Sequence, residues 1–415
     1  MGADVNILIV GTADTKAEEL RFLKRCLERQ GTSAAIMDVG VLGEPSLVPE
    51  YANTQVAAAA GTTVAALAAL GDENAAMQKM AEGAVSLTLS LYRAGKVHGV
   101  LALGGTMGTD LALDVTAALP LGMPKVIVST VAFSHLIPAE RLAPDLMMIL
   151  WAGGLYGLNS VCRSILSQAA GAVAGACRAV VPAASERPRV AVSSLGKSCL
   201  SYMIELNAQL ERRGFEPVVF HATGMGGRAM ESLIDQDVFV AVFDFALQEL
   251  ANLLAGSVVN SGPGRLEAAG RRGIPQLVAP GASDMVDVQA WADLPARFAG
   301  RPYHAHNRLI GSTVSNADER RALARLIAAK LARARGPTAF LLPARGIHAW
   351  DRPGEALHDA AAQAAFMDEL RRALKPPVEV LDLDTHINDP RFVTEALAVF
   401  DRWMAAGLIP NPARS

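Results

Sequence analysis

The sequence predicts an α/β protein of two Rossmann-like parallel-sheet domains related by a weak internal repeat, and three observations predict it. Short apolar runs alternate with stretches of helical spacing. The succession of runs, turns and helices in the first half is echoed in the second. Between them lies Pro182 to Pro188, a polar segment flanked by prolines. Strand and helix in alternation give parallel sheets with right-handed crossovers. The expected domains are residues 1–183 and 189–415, with 182–188 as linker.

Asn6 to Val10 is a short apolar run and reads as the first strand. Glu18 to Gln30 then carries Leu20, Leu23 and Leu27 on one helical face, and Gly31 stops it. Ala34 to Val39 is the next strand, Ala57 to Leu70 an Ala-rich helix, and Val97 to Leu103 a buried strand. A helix and the strand Lys125 to Ser129 follow. The second half opens alike, with strand Arg189 to Ser193, a turn over Ser194 to Cys199, helix Tyr202 to Arg213 and strand Pro217 to His221. Val238 to Phe243, Leu266 to Arg272 and Ile274 to Ala279 continue as strand, helix and strand, and Arg391 to Ala405 closes the chain as a helix.

Composition excludes several functions. With 38 Lys+Arg against 41 Asp+Glu, the 415 residues carry a net charge of -3, which leaves no concentrated basic face for nucleic acid. The densest basic run, from Arg320 through Arg321, Arg325, Lys330, Arg333 and Arg335, reads as a solvated helix face. Leu146 to Val181 is broken by Arg163, Gln168 and Arg178, so a buried or interface helix is expected there and no membrane partner. Cys26, Cys162, Cys177 and Cys199 form no CxxC pair and read as reduced thiols. With no secretory signal at Met1 to Asn6, the expected location is cytoplasmic.

Ligands of open parallel sheets sit beyond the carboxyl ends of the strands. Three segments have the form to hold phosphate there: Gly11, Thr12, Asp14, Thr15 and Lys16 in GTADTK; Gly104, Gly105, Thr106, Gly108 and Thr109 in GGTMGT; and Ser129-Thr130. Glycines admit a close backbone approach, and helix N-termini supply partial positive charge. Lys16 would neutralise phosphate, and Asp14 or Asp110 would hold magnesium. An ordinary strand-to-helix turn also accounts for any one of these loops alone. GxGxxG is absent after the first strand, which disfavours NAD. Ala191 to Ser198 is a loose Walker A, and Val240 to Asp244 imitates a Walker B. Ala191 falls inside the preceding strand, so the loop is too short to cradle phosphate and the P-loop reading is rejected.

A second cluster gathers late in the chain, where six of the eight histidines follow residue 188. His304 and His306 lie in a predicted loop, Asp384 and His386 in the polar run 382–389, and Asp284 at the end of a strand. His-x-His with a carboxylate coordinates metals, and His with Asp performs acid/base chemistry; the same groups also serve to cap loops and bridge domains. Cys199 stands at a predicted helix N-terminus, where a thiolate is stabilised, although a small buried cysteine is the plainer reading.

Taken in order, GTADTK, GGTMGT, GMGGRAME (224–231), GRLE (264–267), PGASD (280–284), HAHN (304–307) and HINDP (386–390) resemble the family named for the ATP-binding N-terminal half of the tomato mosaic virus resistance protein. The resemblance spans nearly the whole chain. It departs from the family's usual pattern at Gly311 to Asn316 and at Ala132-Phe133-Ser134. It implies two Rossmann-like domains, ATP with magnesium in the first, and a homodimer. Some members continue into a TIM barrel, which here is expected as a separate partner.

Two functions are therefore expected of these residues. The leading one is binding of ATP or another nucleotide, with the phosphates on the first-domain loops. The alternative is a hydrolase or lyase acting on a small acidic or carbonyl metabolite between the domains, through Asp284, His304, His306, Asp384 and His386, with Cys199 as a nucleophile.

Overall fold

A computed structural model describes residues 5–181, 186–196 and 201–412. The chain divides into two compact units, Met1–Ala183 and Ala184–Ser415. Of the expected linker, residues 182–185 lie outside the described residues, as does Cys199.

In the first unit the chain runs β1 (Asn6–Gly11), α1 (Ala17–Glu28), β2 (Ser33–Asp38), α2 (Asn53–Ala59), α3 (Val64–Ala68), α4 (Glu73–Arg93), β3 (Gly99–Gly104), α5 (Thr106–Ala118), β4 (Lys125–Ser129), β5 (Met147–Leu150) and α6 (Ser160–Ala179). The strands form one parallel sheet in the order β2-β1-β3-β4-β5. Alternate residues of β1 point to opposite faces. Ile7 and Ile9 pack under α1 and α6, while Leu8 and Val10 pack under the helices between α2 and α5. With both faces covered, every residue of β3 and β4 is buried. Leu20, Leu23 and Leu27 fix α1 to the sheet, each worth about 1.5–3 kcal/mol of burial.

Two stretches differ from the sequence expectation. The Ala-rich helix splits into α2 and α3, because Gly61 takes a positive φ of 70° and Thr63 starts a new helix by capping Ala66 N. Leu146 to Val181 holds β5 as well as α6, whose one buried stripe lies on the sheet. No helix among the described residues is long and apolar enough to cross a membrane.

The second unit repeats the plan. Its main elements are β6 (Arg189–Ser194), α7 (Ser201–Arg212), β7 (Glu216–His221), α8 (Met225–Asp235), β8 (Ala241–Ala246), α9 (Gln248–Leu254), α10 (Ala268–Arg272) and β9 (Gln276–Gly281). After an insertion come α11 (Ala317–Leu331), β13 (Thr338–Pro343), α12 (Ala360–Ala373), β14 (Glu379–Leu383) and α13 (Pro390–Ala405). The six-stranded sheet, β14-β13-β9-β8-β6-β7, is parallel throughout. Numbered from its own first strand, it has the order 2-1-3-4-5-6, which is the first unit's order with one strand added. The echo read from the sequence is thus a shared topology.

The insertion is an antiparallel sheet, β10 (Met285–Gln289), β12 (Ile310–Val314) and β11 (Tyr303–Ala305), in the order β10-β12-β11. His304, expected in a loop, is therefore on a strand. The basic run on α11 is not a fully solvated face either. Arg320 and Lys330 are buried, and Lys330 Nζ donates to Glu267 at 2.8 Å and to the Pro263 carbonyl at 2.5 Å.

Candidate functional site

The strand order 2-1-3-4-5 reverses direction between β1 and β3, and that switch point is where doubly wound sheets bind their ligands. GTADTK leaves β1 there and GGTMGT leaves β3 beside it. A Cβ at Gly104 would lie 2.5 Å from the Gly108 Cα, so this glycine lets the loop close against the start of α5. At Gly105 a Cβ would meet nothing nearer than the Thr130 hydroxyl at 3.9 Å, and that side of the loop is open.

Both helices that begin here lack a side-chain cap among the described residues. Among the described helices α4, α6, α11 and α12 are capped by Asp72, Asn159, Asn316 and Asp359, whereas α8, α9, α10 and α13 also have no side-chain cap. Glu18 and Glu19 partly balance the positive end of α1, whereas α5 has no acidic residue in its first turn. Its first N–H groups form the less satisfied end.

The expected residues divide according to their bonds. Thr109 and Ser129 are buried and share a hydrogen bond of 2.7 Å, with Ser129 Oγ also accepting from Val131 N, so these two tie α5 to β4. Thr12 and Thr15 bond each other at 2.7 Å, and Lys16 Nζ lies 5.2 Å above the Tyr156 ring. Gly105, Thr106, Gly108 and Thr130 surround the start of α5. Asp110 is taken by Arg141, which also binds Asp114 at 2.6 Å, so Asp110 is committed to an ion pair. Asp14 packs against Gly40 and Gly43, and its Oδ1 is buried with no hydrogen-bond partner among the described residues.

Sequence reasoning missed Asp38. It ends β2 in register with Gly11, and its Oδ1 accepts from Ala13 N at 2.8 Å and Gly40 N at 2.9 Å. Its Oδ2 is buried with no partner among the described residues. Burial pushes this carboxyl up, the two backbone bonds pull it back, and the charge of Asp14 adds to the rise. Asp14 and Asp38 are thus neighbouring carboxylates, each with a buried oxygen that has no partner among the described residues, and carboxylate oxygens are the ligands magnesium takes. Asp38 had a legible signal, as an acid on the last residue of a buried strand.

The second unit has a cavity of about 450 Å³ at its own switch point. Its floor comes from residues at or just beyond the ends of β6, β7 and β8, including His221 and Gln248, and its roof from the antiparallel insertion. His304, His306 and Asp287 line it, and His304 stacks on Trp350 with ring centroids 4.6 Å apart. Asp287 accepts from Ser312 Oγ at 2.6 Å and Gln248 Nε2 at 2.7 Å. Burial raises its carboxyl, while these bonds and the charge of His306 act against the rise.

The other expected members of that cluster are elsewhere. Asp284 is fully buried against His348 at 3.2 Å and Arg320 at 3.1 Å. His386 is buried, its Nε2 3.0 Å from Asp351 Oδ1. Asp384 is 71% exposed and paired with Arg345 at 2.6 Å. Asp287 takes the place expected of Asp284 because β10 carries the chain from the buried sheet end to the cavity in three residues. No group of three His, Cys, Asp or Glu among the described residues is placed to hold a metal.

GMGGRAME and GRLE meet in one buried network. Arg265 donates through Nε to Glu249 at 2.6 Å and through Nη2 to Asp244 at 2.7 Å, and Glu231 lies 3.3 Å from Nη1. Glu249 in turn accepts from Gly224 N and Gly227 N. Asp244, the Walker B look-alike, is thereby fixed to Arg265 and Ser193. Ala191 lies within β6, and Lys197 and Ser198 lie outside the described residues.

Among known proteins, a UPF0261 protein of Brucella melitensis biotype 1 is 56% identical over 403 residues, which cover 97% of this chain and 96% of that protein. A UPF0261 protein of Clostridium tetani is 35% identical over 390 residues, 93% of this chain and 96% of that one. The ToMV resistance protein Tm-1(GCR237) of Solanum lycopersicum is 30% identical over 420 residues, 95% of this chain but 55% of the tomato protein. The solved structure of the Streptomyces sp. SF2575 glycosyltransferase SsfS6 with thymidine diphosphate aligns over 95% of this chain and 99% of its own, at 14% identity. Its TM-score of 0.20 is too low to carry an argument. Since the N-terminal domain of the uncharacterised protein family UPF0261 matches residues 5–182 and its C-terminal domain residues 187–404, the chain belongs to that family.

Proposed function

We propose that the protein binds ATP, or another nucleoside polyphosphate, with magnesium at the β1/β3 switch point of its first unit. The observation that carries this reading is the pair of uncapped helix N-termini, α1 and α5, leaving adjacent strands at that point. The N–H groups at the start of α5, with Gly105, Thr106 and Thr130, would face the phosphates. Thr12, Thr15 and Lys16 would meet them from the β1 side, and Asp14 with Asp38 would hold the magnesium. The resemblance to the tomato protein's ATP-binding half supports the choice of ATP, and extends the reading to a cytosolic homodimer. Calorimetric titration of the full chain with magnesium and ATP tests it. Saturable heat is expected, and none from folded protein would remove the proposal.

A second reading is favoured by the second-unit cavity, where His304 and His306 face the same space as the buried Asp287. On this reading the protein is a hydrolase or lyase for a small acidic or carbonyl metabolite, with the histidines moving protons. Changing His306 to Ala would then abolish turnover and leave ATP binding intact.

A further inference from the structure

A larger cavity, about 660 Å³, lies beyond the carboxyl end of β13 and against α12, lined by none of the residues discussed as nucleotide or His-cluster ligands. Its volume suits a metabolite-sized molecule. The buried guanidinium of Arg320 lies in its wall. Arg320 Nε donates to the Ser315 carbonyl at 3.0 Å, and Nη1 is 3.1 Å from Asp284 and 3.3 Å from Gln363 Oε1. Its Nη2 has no acceptor among the described residues, and neither does the buried Nε2 of Gln363, the next residue in the same wall.

Leaving such donors unmatched costs about 1–3 kcal/mol each, more where one is charged. The acids in the lining do not relieve them. Asp351 accepts from Ile347 N at 2.5 Å and sits 3.0 Å from His386, Asp359 caps Ala362 N at 2.9 Å, and Asp368 binds Arg371 at 2.9 Å. The spare capacity of the wall is thus the donor capacity of Arg320 and Gln363, since the further arginines around it are already paired, Arg345 with Asp384, Arg352 with Asp389, and Arg371 with Asp368 and Asp382. Ala364 and Met367 complete an apolar side.

We propose that this cavity is a second small-molecule site, whose ligand is an oxyanion (a carboxylate or phosphate group on a partly apolar body) seated on Arg320 Nη2 and Gln363 Nε2. An oxyanion supplies the two acceptors the wall lacks, and charge-assisted bonds from a buried guanidinium are the strong kind. The site is independent of the nucleotide reading, being built wholly from the second unit.

The test is calorimetric titration of the full chain with inorganic phosphate and with succinate, at constant ionic strength against chloride. Arg320 also holds Asp284, so its removal disturbs the fold, and the variants are placed at Gln363 instead. Gln363→Glu keeps the shape and sets a negative charge on the donors; Gln363→Met removes the amide. Saturable binding of either anion by the wild type, weakened by about tenfold or more in both variants at unchanged melting temperature, is expected. Whichever anion binds assigns the group. No saturable binding of either, or binding of equal strength in Gln363→Glu, overturns the proposal, since phosphate held equally by that variant is held elsewhere.

Discussion

Val10 on β1 stands in register beside Ala102 on β3, and this pairing places the loops that begin at Gly11 and Gly104 next to each other at one sheet end. Their helices then depart to opposite faces, α1 to one and α5 to the other. Two helix N-termini therefore start from adjacent strands at one sheet end. That placement follows from strand order alone, and it is why a modest sheet can concentrate N–H groups on an anion.

Gly105 offers a sharp test of this arrangement. Its backbone, at φ -71° and ψ -155°, suits any residue, and a Cβ there would have room. Gly105→Asp would cap α5 and complement its dipole, stabilising the protein by about 0.3–1 kcal/mol. The same carboxylate would occupy the place of a phosphate. A higher melting temperature together with loss of ATP binding is expected; retained binding would put the phosphates elsewhere.

Gly104 should behave in the opposite way. A Cβ there meets the Gly108 backbone at 2.5 Å, which no rotamer relieves. Gly104→Ala is expected to destabilise the first unit by about 1–3 kcal/mol. Urea unfolding measures it, and an unchanged midpoint would mean that the loop does not close tightly against Gly108.

Asp38→Asn separates charge from shape. The amide oxygen can still accept from Ala13 N and Gly40 N, while the buried negative charge is removed. Because burial raises this carboxyl above its ordinary value, the metal-free variant should melt no lower than the wild type at neutral pH. It should lose the enhancement of ATP binding by magnesium. A variant whose magnesium dependence is intact would take Asp38 out of the cation site.

Arg265 holds three carboxylates in the second unit, all of them buried or nearly so. Arg265→Met leaves those charges without their cation, and a loss of about 3–5 kcal/mol is expected. Chemical denaturation reads it directly, and a loss below about 1 kcal/mol would show the network to be dispensable.

Asp284 and His348 make the stability of that unit depend on pH. Burial alone would raise Asp284, but His348 and Arg320 hold it down at about 2. Its contribution is present above an unfolded value of about 3.9 and is lost as pH falls through about 2. Burial alone would lower His348, yet Asp284 more than offsets this and its value is raised. That contribution is full below about 6.5 and is lost as pH rises through the raised folded value. His348→Gln should therefore cost more stability at pH about 5.5 than at pH about 9. Equal costs at both would mean that the pair carries no charge.

The strands were legible because parallel sheets bury both faces and leave continuous apolar runs, as Gly99–Gly104 does. The phosphate loops were legible because glycine and threonine follow those runs directly. What the sequence hid is mostly partnership. Arg320 and Lys330 look like surface charges on a helix, and their partners, the buried Asp284 and the half-buried Glu267, are distant in the chain. Asp284 and Asp287 are three residues apart, and the turn into an unforeseen antiparallel sheet sends one into the core and the other to a cavity. Met285 to Gln289 is short, and its pairing with Ile310 to Val314 spans an irregular stretch, so no local period announces it.

The most direct measurement is the titration of wild-type protein and Gly105→Asp with ATP, each with and without magnesium. The expected result is saturable, magnesium-enhanced binding by the wild type and its loss in a variant that is folded and at least as stable. ATP bound equally by both proteins, or by neither, would contradict it.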